Sequence, residues 1–343
     1  MTTSNHYEID TVCVQAHEFP AALIDLACSR GVDSNRLLRG TGIFLDDFLR
    51  GELTLRPEQC FALVANIRKL LPAAETAFLA GARLYPGNFG PASSALQSSG
   101  NLLQALNVLV QYQAILSPLL SPRLEWHCDD LCIYWHDACG AGEHVAFLTD
   151  MMITALVSTS KILAGRSLAW QFYLPGEPAH REQYEVHWGR SIYPHSHQYR
   201  MQISRSELAH HWPGAAPSVG HIASSQCERR LQQLPSLGFI SHFDQYLRHQ
   251  LPDNPSLETA ASEFCISPAT LKRKLKKHHT SFQQRFDLVR KEQALLWLTR
   301  EQLPLAEVAT RLHFHDARNL RRAFKRWTGV IPSQLTPAIT PAR

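Results

Sequence analysis

The sequence has 343 residues and contains few of the patterns that mark secreted or membrane proteins. The first twenty residues lack a basic segment followed by an apolar core, so we expect no secretory signal peptide. The most apolar run, residues 151–163, contains Lys161 and is too short to cross a membrane. The eight cysteines form no CxxC pair, which is typical of buried thiols in a reducing compartment and favours a cytoplasmic location.

Patterns that carry catalysis are equally scarce. The chain has no glycine-rich phosphate loop and no nucleophile elbow, so we expect no catalytic residues, no cofactor and no enzymatic activity. Eighteen histidines raise the question of a metal site. The best cluster is His127, Cys128, Cys132 and His136. Strand alternation places Cys128 and His127 on opposite faces, however, so we expect no metal ligands.

Charge is unevenly distributed along the chain. Residues 241–343 contain 17 Lys and Arg but only 9 Asp and Glu, a net charge of +8. Residues 1–240 contain 17 Lys and Arg against 21 Asp and Glu, a net charge of −4. A basic end attached to an acidic body indicates that the C-terminal part binds a polyanion and that the remainder does not.

Hydrophobic periodicity divides the chain into a mixed part and a helical part. Helical patterns dominate residues 18–120, and two alternating runs then predict a β-hairpin over 123–137. One long apolar helix and two strands are predicted further along, over 143–164, 169–174 and 199–204. From residue 240 onward every pattern is helical. The expected fold class is mixed: a helix-rich α+β N-terminal domain with a small sheet, followed by an all-α domain.

Proline and glycine mark the boundary between these parts, at Pro235 and Gly238. The predicted segments are a flexible arm over 1–17, the mixed domain over 18–235, the all-α domain over 240–336 and a tail over 337–343.

Two stretches of the basic end share one pattern, LETAASEFCISPATLKRKLKK from Leu257 and LAEVATRLHFHDARNLRRAFKR from Leu305. Equivalent residues are 48 apart before the turn and 49 apart after it, so the second copy has one extra residue in the turn. Duplicated helix-turn-helix units tolerate such a length change between preserved helices. Each copy predicts a short helix, a turn and a second helix, with Ser267 or Asp316 as the N-cap.

The second helix of each copy is predicted to be amphipathic. Its apolar residues lie at i and i+4, at Leu271 and Leu275 in the first copy and at Leu320 and Phe324 in the second. Lysines and arginines occupy most positions between them. Such a helix can lie in the major groove of DNA, where Arg reads guanine edges and Lys contacts phosphates. Two solvated amphipathic helices are the alternative, but the duplicated cap, turn and basic face favour DNA.

Residues 240–335 resemble the DNA-binding domain of the AraC family of bacterial transcription regulators. The resemblance lies in SLETAASEFCISPATLKRKLK, SFQQRFDLVRKEQALLWL, LAEVATRLHF and above all AFKRWTGVIP. It implies seven helices and two helix-turn-helix units. Matching positions imply base-proximal roles for Ala269, Lys272, Arg273, Ala317, Arg318, Arg321 and Arg322. Lys276 and Lys325 belong to the same basic faces, and we expect Lys276 to contact phosphate.

The chain departs from the family pattern at two places. Cys265 and His313 occupy the tight turns where the family usually has Gly, so we expect turns of altered shape at some energetic cost. Gln334-Leu335-Thr336 stands where the family usually has a Tyr-Arg pair, which weakens the expected last helix.

Residues 18–234 resemble, more weakly, the arabinose-binding-type N-terminal domain of one AraC subgroup. The resemblance lies in RGVDSNRLLRGTGI, ARLYPGNFGPASSALQSSGNLLQALNVLVQY and RLEWHCDDLCIYWHD. It implies a domain that senses a small-molecule effector and mediates dimerisation. The expected protein is a homodimer that binds double-stranded promoter DNA and RNA polymerase, with activation favoured over repression.

Aromatic side chains are the candidates for lining an effector pocket, although ordinary core packing is the more common role of any one of them. The candidates are Tyr112, Trp126, Tyr134 and Trp170. Two other functions stay open at this point. One is an alkyl-acceptor DNA-repair protein, or another enzyme, that the basic C-terminal module targets to DNA, and Cys227 is the nearest reactive candidate. The other is a non-specific architectural DNA binder, against which the acidic first part argues.

Overall fold

The computed structural model describes residues 6–51 and 53–335. The chain folds into two compact units that divide between Ser241 and His242. The helices of the N-terminal unit are α1 (Phe19–Ser29), α2 (Ser34–Leu38), α3 (Leu45–Leu49), α4 (Pro57–Leu70), α5 (Thr76–Leu84), α6 (Pro91–Gln97), α7 (Leu102–Gln111), α8 (Gln113–Leu116), α9 (Val145–Ala164), α10 (Arg181–Trp188), α11 (Arg205–Leu208) and α12 (Pro217–Leu231). Its strands are β1 (His6–Tyr7), β2 (Val14–Gln15), β3 (Thr54–Leu55), β4 (Leu120–His127), β5 (Asp130–Asp137), β6 (Gln171–Tyr173), β7 (Ile192–Tyr193), β8 (Arg200–Ser204) and β9 (Leu237–Gly238). This helix-rich α+β unit confirms the predicted fold class.

Residues 6–17, assigned from the sequence to a flexible arm, are instead packed into the N-terminal unit. β1 pairs in parallel with β9, and β2 pairs antiparallel with β3. The side chain of Tyr7 is buried, and its hydroxyl donates to the carbonyl oxygen of Pro118 at 2.8 Å. Each of these strands has only two residues, too few to show alternation in the sequence. Residues 1–5 and the predicted tail lie outside the described residues.

The helix α9 passes through the core of the N-terminal unit. Gly81 on α5 allows the two helices to approach closely, because a Cβ atom there would lie 2.2 Å from the carbonyl oxygen of Met151. Residues 142–164 are long and apolar enough to cross a membrane, with a mean hydropathy of 1.3. This segment is longer than the run identified in the sequence. Of its most apolar stretch, 67% is buried inside the protein, as in the core helix of a globular unit.

The largest sheet has five strands in the order β4-β5-β8-β6-β7. All neighbours are antiparallel except β6 and β7, and β4 and β5 form the predicted hairpin. Because side chains alternate between the faces of a strand, each strand contributes to two surfaces. One surface packs into the hydrophobic core through Leu131, Ile133, Phe172, Met201 and Ile203. The other, which we call the polar sheet face, carries Arg123, Glu125, Asp130, Cys132, Tyr134, Gln171, Tyr173, Tyr193, Arg200 and Gln202.

The C-terminal unit is built from α-helices. They are α13 (Phe239–His249), α14 (Leu257–Glu263), α15 (Pro268–Lys277), α16 (Phe282–Thr299), α17 (Leu305–Arg311) and α18 (Ala317–Thr328). The resemblance implies a seventh helix after Pro332. Within the described residues this segment shows only a 3₁₀ turn, Pro332–Gln334.

Two ion pairs hold α13 against α16. The guanidinium of Arg285 donates from its Nε atom to Oδ1 of Asp244 at 2.9 Å, and both side chains are buried. Arg248 pairs with Glu292 at 3.1 Å. These ion pairs therefore fix the position of the long helix α16 relative to α13.

Candidate nucleic-acid interface

The first helix-turn-helix unit consists of α14 and α15. The hydroxyl of Ser267 accepts the backbone N–H of Thr270 at 3.1 Å, and Pro268 occupies the first helical position. This satisfies one of the free amide groups at the start of α15. Leu271 and Leu275 are buried, so the predicted apolar stripe of α15 faces the interior and fixes which residues point outward.

The second unit consists of α17 and α18 and repeats this arrangement. The carboxylate of Asp316 accepts the backbone N–H of Asn319 at 2.7 Å. That hydrogen bond lowers the pKa of Asp316, so the cap stays negatively charged at the positive end of the helix. Leu320 and Phe324 are buried, and α18 ends at Gly329 in the left-handed conformation. Both predicted N-caps are therefore confirmed.

The two turns have the same backbone shape although neither contains glycine. Cys265 and His313 have φ angles of 54° and 58°, in the left-handed region that glycine favours. In each turn the next residue donates its N–H back to an alanine carbonyl, Ile266 to Ala261 and Phe314 to Ala309. The expected change of shape is not seen, because both residues adopt the left-handed conformation that glycine favours, and they do so at an energetic cost. The extra residue of the second copy lies after the turn and before Asp316.

Exposed cations follow the outer face of both second helices with one spacing. The residues at i, i+3, i+4 and i+7 are Ala269, Lys272, Arg273 and Lys276 on α15, and Arg318, Arg321, Arg322 and Lys325 on α18. All eight are exposed, while Ala317 at the start of α18 is partly buried. This spacing places the four side chains of each set on a single stripe.

The cations of these stripes form no ion pair with a carboxylate among the described residues of the C-terminal unit. Arg311 pairs with Glu307 at 2.6 Å, and Arg326 pairs with Asp287 at 3.0 Å. Within the part of the chain that the structure describes, no such pair involves the seven Lys and Arg side chains of the two stripes. Their charges are therefore available to an external anion.

The four aromatic candidates for an effector pocket do not come together. Tyr112 is buried in the core, where its hydroxyl donates to the carbonyl oxygen of Ser224 at 3.3 Å. Trp170 is also buried, with its indole N–H donating to Ser160. Trp126 lies at a sheet edge and is 45% exposed. Tyr134 alone belongs to the polar sheet face, so residue type was a poor guide to position.

Two other candidates also have defined places. Cys227 is buried in α12, and burial raises the pKa of its thiol to about 11, which disfavours the reactive thiolate. Cys128 lies exposed in the hairpin turn with a φ angle of 55°, whereas Cys132 is buried in β5. Among the described residues, no group of three His, Cys, Asp or Glu side chains is arranged to hold a metal ion.

Two helix-turn-helix units with exposed cationic helices define a DNA-binding protein. Residues 260–337 match a family described as a helix-turn-helix domain. Residues 31–211 match the family described as the arabinose-binding domain of AraC transcription regulators, N-terminal. The chain therefore belongs to the AraC transcription regulators that carry this N-terminal domain.

The chain is also similar to individual proteins over most of its length. The chain is 29% identical to the ornithine utilization regulator of Pseudomonas aeruginosa, over 93% of this chain and 95% of that protein. It is 24% identical to the helix-turn-helix-type transcriptional regulator Rv1395 of Mycobacterium tuberculosis, over 91% and 93% of the two chains. The crystal structure of the P. aeruginosa transcriptional regulator CdpR covers 92% of this chain and 97% of its own, with 19% identity and a TM-score of 0.46.

The protein is a DNA-binding transcription regulator with an N-terminal domain for a small-molecule effector. Its partners are thus DNA and an effector. The family consists of transcription regulators, which favours this function over the alkyl-acceptor alternative.

Proposed function

We propose that α15 and α18 read two neighbouring segments of promoter DNA, each from the major groove. The supporting observation is the duplicated stripe: two helices carry exposed cations at i+3, i+4 and i+7, on identical turns, with no intramolecular carboxylate partner among the described residues. Two readers on one chain suit two segments about one helical turn, roughly 34 Å, apart.

The composition of the stripes suggests a division of labour between them. On α18 three of the four stripe residues are Arg318, Arg321 and Arg322, whose planar guanidinium groups can bind guanine through two hydrogen bonds. On α15, Lys272 and Arg273 occupy the base-proximal positions, and Lys276 suits a phosphate contact. Lys325 extends the α18 stripe toward phosphate. Ala269 and Ala317, at the starts of the helices, can contact a thymine methyl group.

Selection of binding sites from a random DNA library tests this proposal. Purified full-length protein is incubated with the library at a stated near-physiological salt concentration, because the affinity depends on salt. The expected product is a motif with two conserved boxes about one helical turn apart. A single box, or no enrichment both with the full-length protein and with residues 236–343 alone, would contradict the double reader.

We further propose that the N-terminal unit, to which residues 6–17 also belong, is the effector-binding and dimerisation domain, and that the DNA-binding domain spans 240–336. The protein acts in the cytoplasm as a homodimer, and effector binding favours a DNA-bound arrangement that recruits RNA polymerase and activates transcription.

Sedimentation of the full-length protein tests the dimer. In vitro transcription from a promoter carrying the selected motif tests activation, and a fall in transcript on adding the protein would indicate repression instead.

Similarity to an ornithine utilization regulator suggests an effector of the amino-acid class, and L-ornithine is the first compound to test. Ligand that binds one arrangement preferentially must shift the DNA affinity. We expect L-ornithine to change the affinity for the selected site, whereas an unchanged affinity at millimolar L-ornithine would argue against it.

A further inference from the structure

A row of arginine and tyrosine side chains crosses the polar sheet face from one edge to the other. The guanidinium of Arg123 lies over the ring of Tyr134, 4.8 Å from its centroid. Because Ile133 pairs with Met201, Tyr134 and Arg200 are adjacent in the next row of the sheet. Arg200 lies over Tyr173 at 3.7 Å, and Tyr173 stacks on Tyr193 at 4.9 Å. The row spans all five strands.

Arg200 at the centre of this row is a buried cation with an unused donor. Arg200 is only 6% exposed, and its Nε atom has no hydrogen-bond acceptor among the described residues. A buried charged donor without an acceptor is costly, and native proteins keep few such groups. The ring of Tyr173 covers one face of the guanidinium and leaves its edge as the hydrogen-bonding side.

The carboxylates of the same face have other partners. Glu125 pairs with Arg123 and lies 3.5 Å from the imidazole of His127. Asp130 accepts a hydrogen bond from the Gln202 amide at 3.2 Å, and that amide also donates to Gln171 at 2.8 Å. These contacts fix the orientations of the polar side chains around Arg200.

The rim of the face remains partly open. The side chains of Arg123 and Glu125 are 22% and 28% exposed, in contrast to the buried Arg200. The β4 side of the face is therefore accessible to solvent. The arrangement combines a buried fork, flanking aromatic surface and polar groups with fixed orientations, which is the composition of a small-molecule site.

We propose that the polar sheet face is the effector site, and that Arg200 binds the carboxylate group of a small organic acid. A carboxylate accepts two parallel N–H groups from the edge of a guanidinium, which would satisfy the unused Nε donor. This inference rests on the proposed function, because it locates and specifies the effector of the N-terminal unit. Under this proposal Arg200 selects ligands that carry a negative charge.

Calorimetric titration of the full-length protein tests the inference with three carboxylates and their neutral amides. The carboxylates are benzoate, succinate and L-norvaline, which differ in the organic group that carries the carboxylate. Each amide keeps this group and replaces the carboxylate by a neutral amide. We expect at least one carboxylate to bind and to raise the melting temperature, and its amide to bind at least tenfold more weakly. A panel without any bound carboxylate, or equal binding of an acid and its amide, overturns the inference.

Three variants test the role of Arg200. Arg200→Met removes the fork, and we expect at least a tenfold loss of carboxylate affinity. Arg200→Lys keeps the charge and replaces the Met variant if that variant does not fold. We expect it to lose at least tenfold in carboxylate affinity as well, because an ammonium group lacks the planar fork. Arg205→Met is the matched control, since Arg205 follows the same strand and is 63% exposed. Carboxylate affinity that is unchanged in Arg200→Lys or Arg200→Met overturns the inference.

Failure of this inference can be distinguished from failure of the proposed function. Selection of DNA sites by the C-terminal unit does not depend on Arg200. A two-box motif without carboxylate binding rejects only the effector site. Carboxylate binding without a DNA motif rejects the double reader and leaves the site in place.

Discussion

The two units of this chain differ in how they place charge. The C-terminal unit buries one complete ion pair, Asp244 with Arg285, and exposes the cations of α15 and α18. The N-terminal unit buries Nε of Arg200 and Oδ1 of Asp150 without a partner among the described residues, while in the C-terminal unit the same holds for Nε of Arg290 and the indole nitrogen of Trp327. Exposed cations are available to DNA at little desolvation cost. Buried groups with unused atoms lower stability, and a sensor retains them where a ligand uses them or where protonation relieves them.

The largest effect is expected from breaking the complete pair of the C-terminal unit. Arg285→Met leaves the Asp244 carboxylate buried without its cation, and burial already raises the pKa of Asp244. We expect this variant to lower the free energy of unfolding of the C-terminal unit by about 3–5 kcal/mol. Chemical denaturation measures it. The matched control is Arg326→Met, which breaks the exposed pair with Asp287 and should cost at most about 1 kcal/mol. Equal losses in the two variants would contradict the comparison.

A somewhat smaller effect is expected at Asp150 in the N-terminal unit. Burial raises the pKa of this carboxyl from 3.8 to about 7, although Tyr184 donates a hydrogen bond to it at 2.9 Å. The folded state then holds a proton that the unfolded state has lost. Stability therefore falls as pH rises from about 4 to 7, by up to roughly 1.4 kcal/mol per pH unit, and levels off above 7.

The Asp150→Asn variant has no such titration and isolates this contribution. We expect its advantage over the wild type, measured by urea denaturation, to be larger at pH 7.5 than at pH 5. Parallel stability profiles of the two proteins across this range would show that Asp150 ionises normally.

Smaller effects are expected when single cations of the exposed stripes are removed. Arg321→Ala should weaken binding to the selected site by about 1–3 kcal/mol and relax the preference at one base pair, if Arg321 binds guanine with both donors. Lys276→Ala should weaken all sequences similarly and reduce the salt dependence by about one unit of slope. Fluorescence anisotropy at several salt concentrations separates the two. A base-specific loss at Lys276, or a uniform loss at Arg321, would reverse the assigned roles.

The smallest effect is expected at the two turns. Cys265→Gly and His313→Gly each relieve a left-handed residue and should raise the free energy of unfolding by up to about 1 kcal/mol. Cys265→Ala and His313→Ala are the controls, because alanine keeps the Cβ atom and gives no relief. Since both turns have the same hydrogen bonds, the two glycine variants should respond alike, and a gain in only one of them would show that the turns differ in strain.

The C-terminal unit could be predicted closely from the sequence because its signals are local. In each copy the cap, Ser267 or Asp316, and the apolar stripe that follows it lie close together in the sequence, and the structure confirms both. Left-handed turns at Cys265 and His313 could not be predicted, since these residue types rarely adopt that conformation.

The N-terminal unit was predicted less well because its site depends on distant strands. The polar sheet face joins Tyr134, Tyr173 and Arg200 only through the register of three strands that lie far apart in the sequence. One signal was present: Arg200 and Gln202 alternate with Met201 and Ile203, a pattern typical of a strand with two different faces. Selecting aromatic residues by type instead identified Tyr112 and Trp170, which the structure places in the core.

The most direct test of the central claim is to repeat the DNA selection with each reader disabled separately. One variant replaces Lys272 and Arg273 by alanine, and the other replaces Arg321 and Arg322. All four side chains are exposed, so both variants should fold like the wild type. If α15 and α18 each read one segment, each variant will lose one box of the motif and keep the other. Loss of both boxes together in either variant, or of neither in both, would contradict two independent readers.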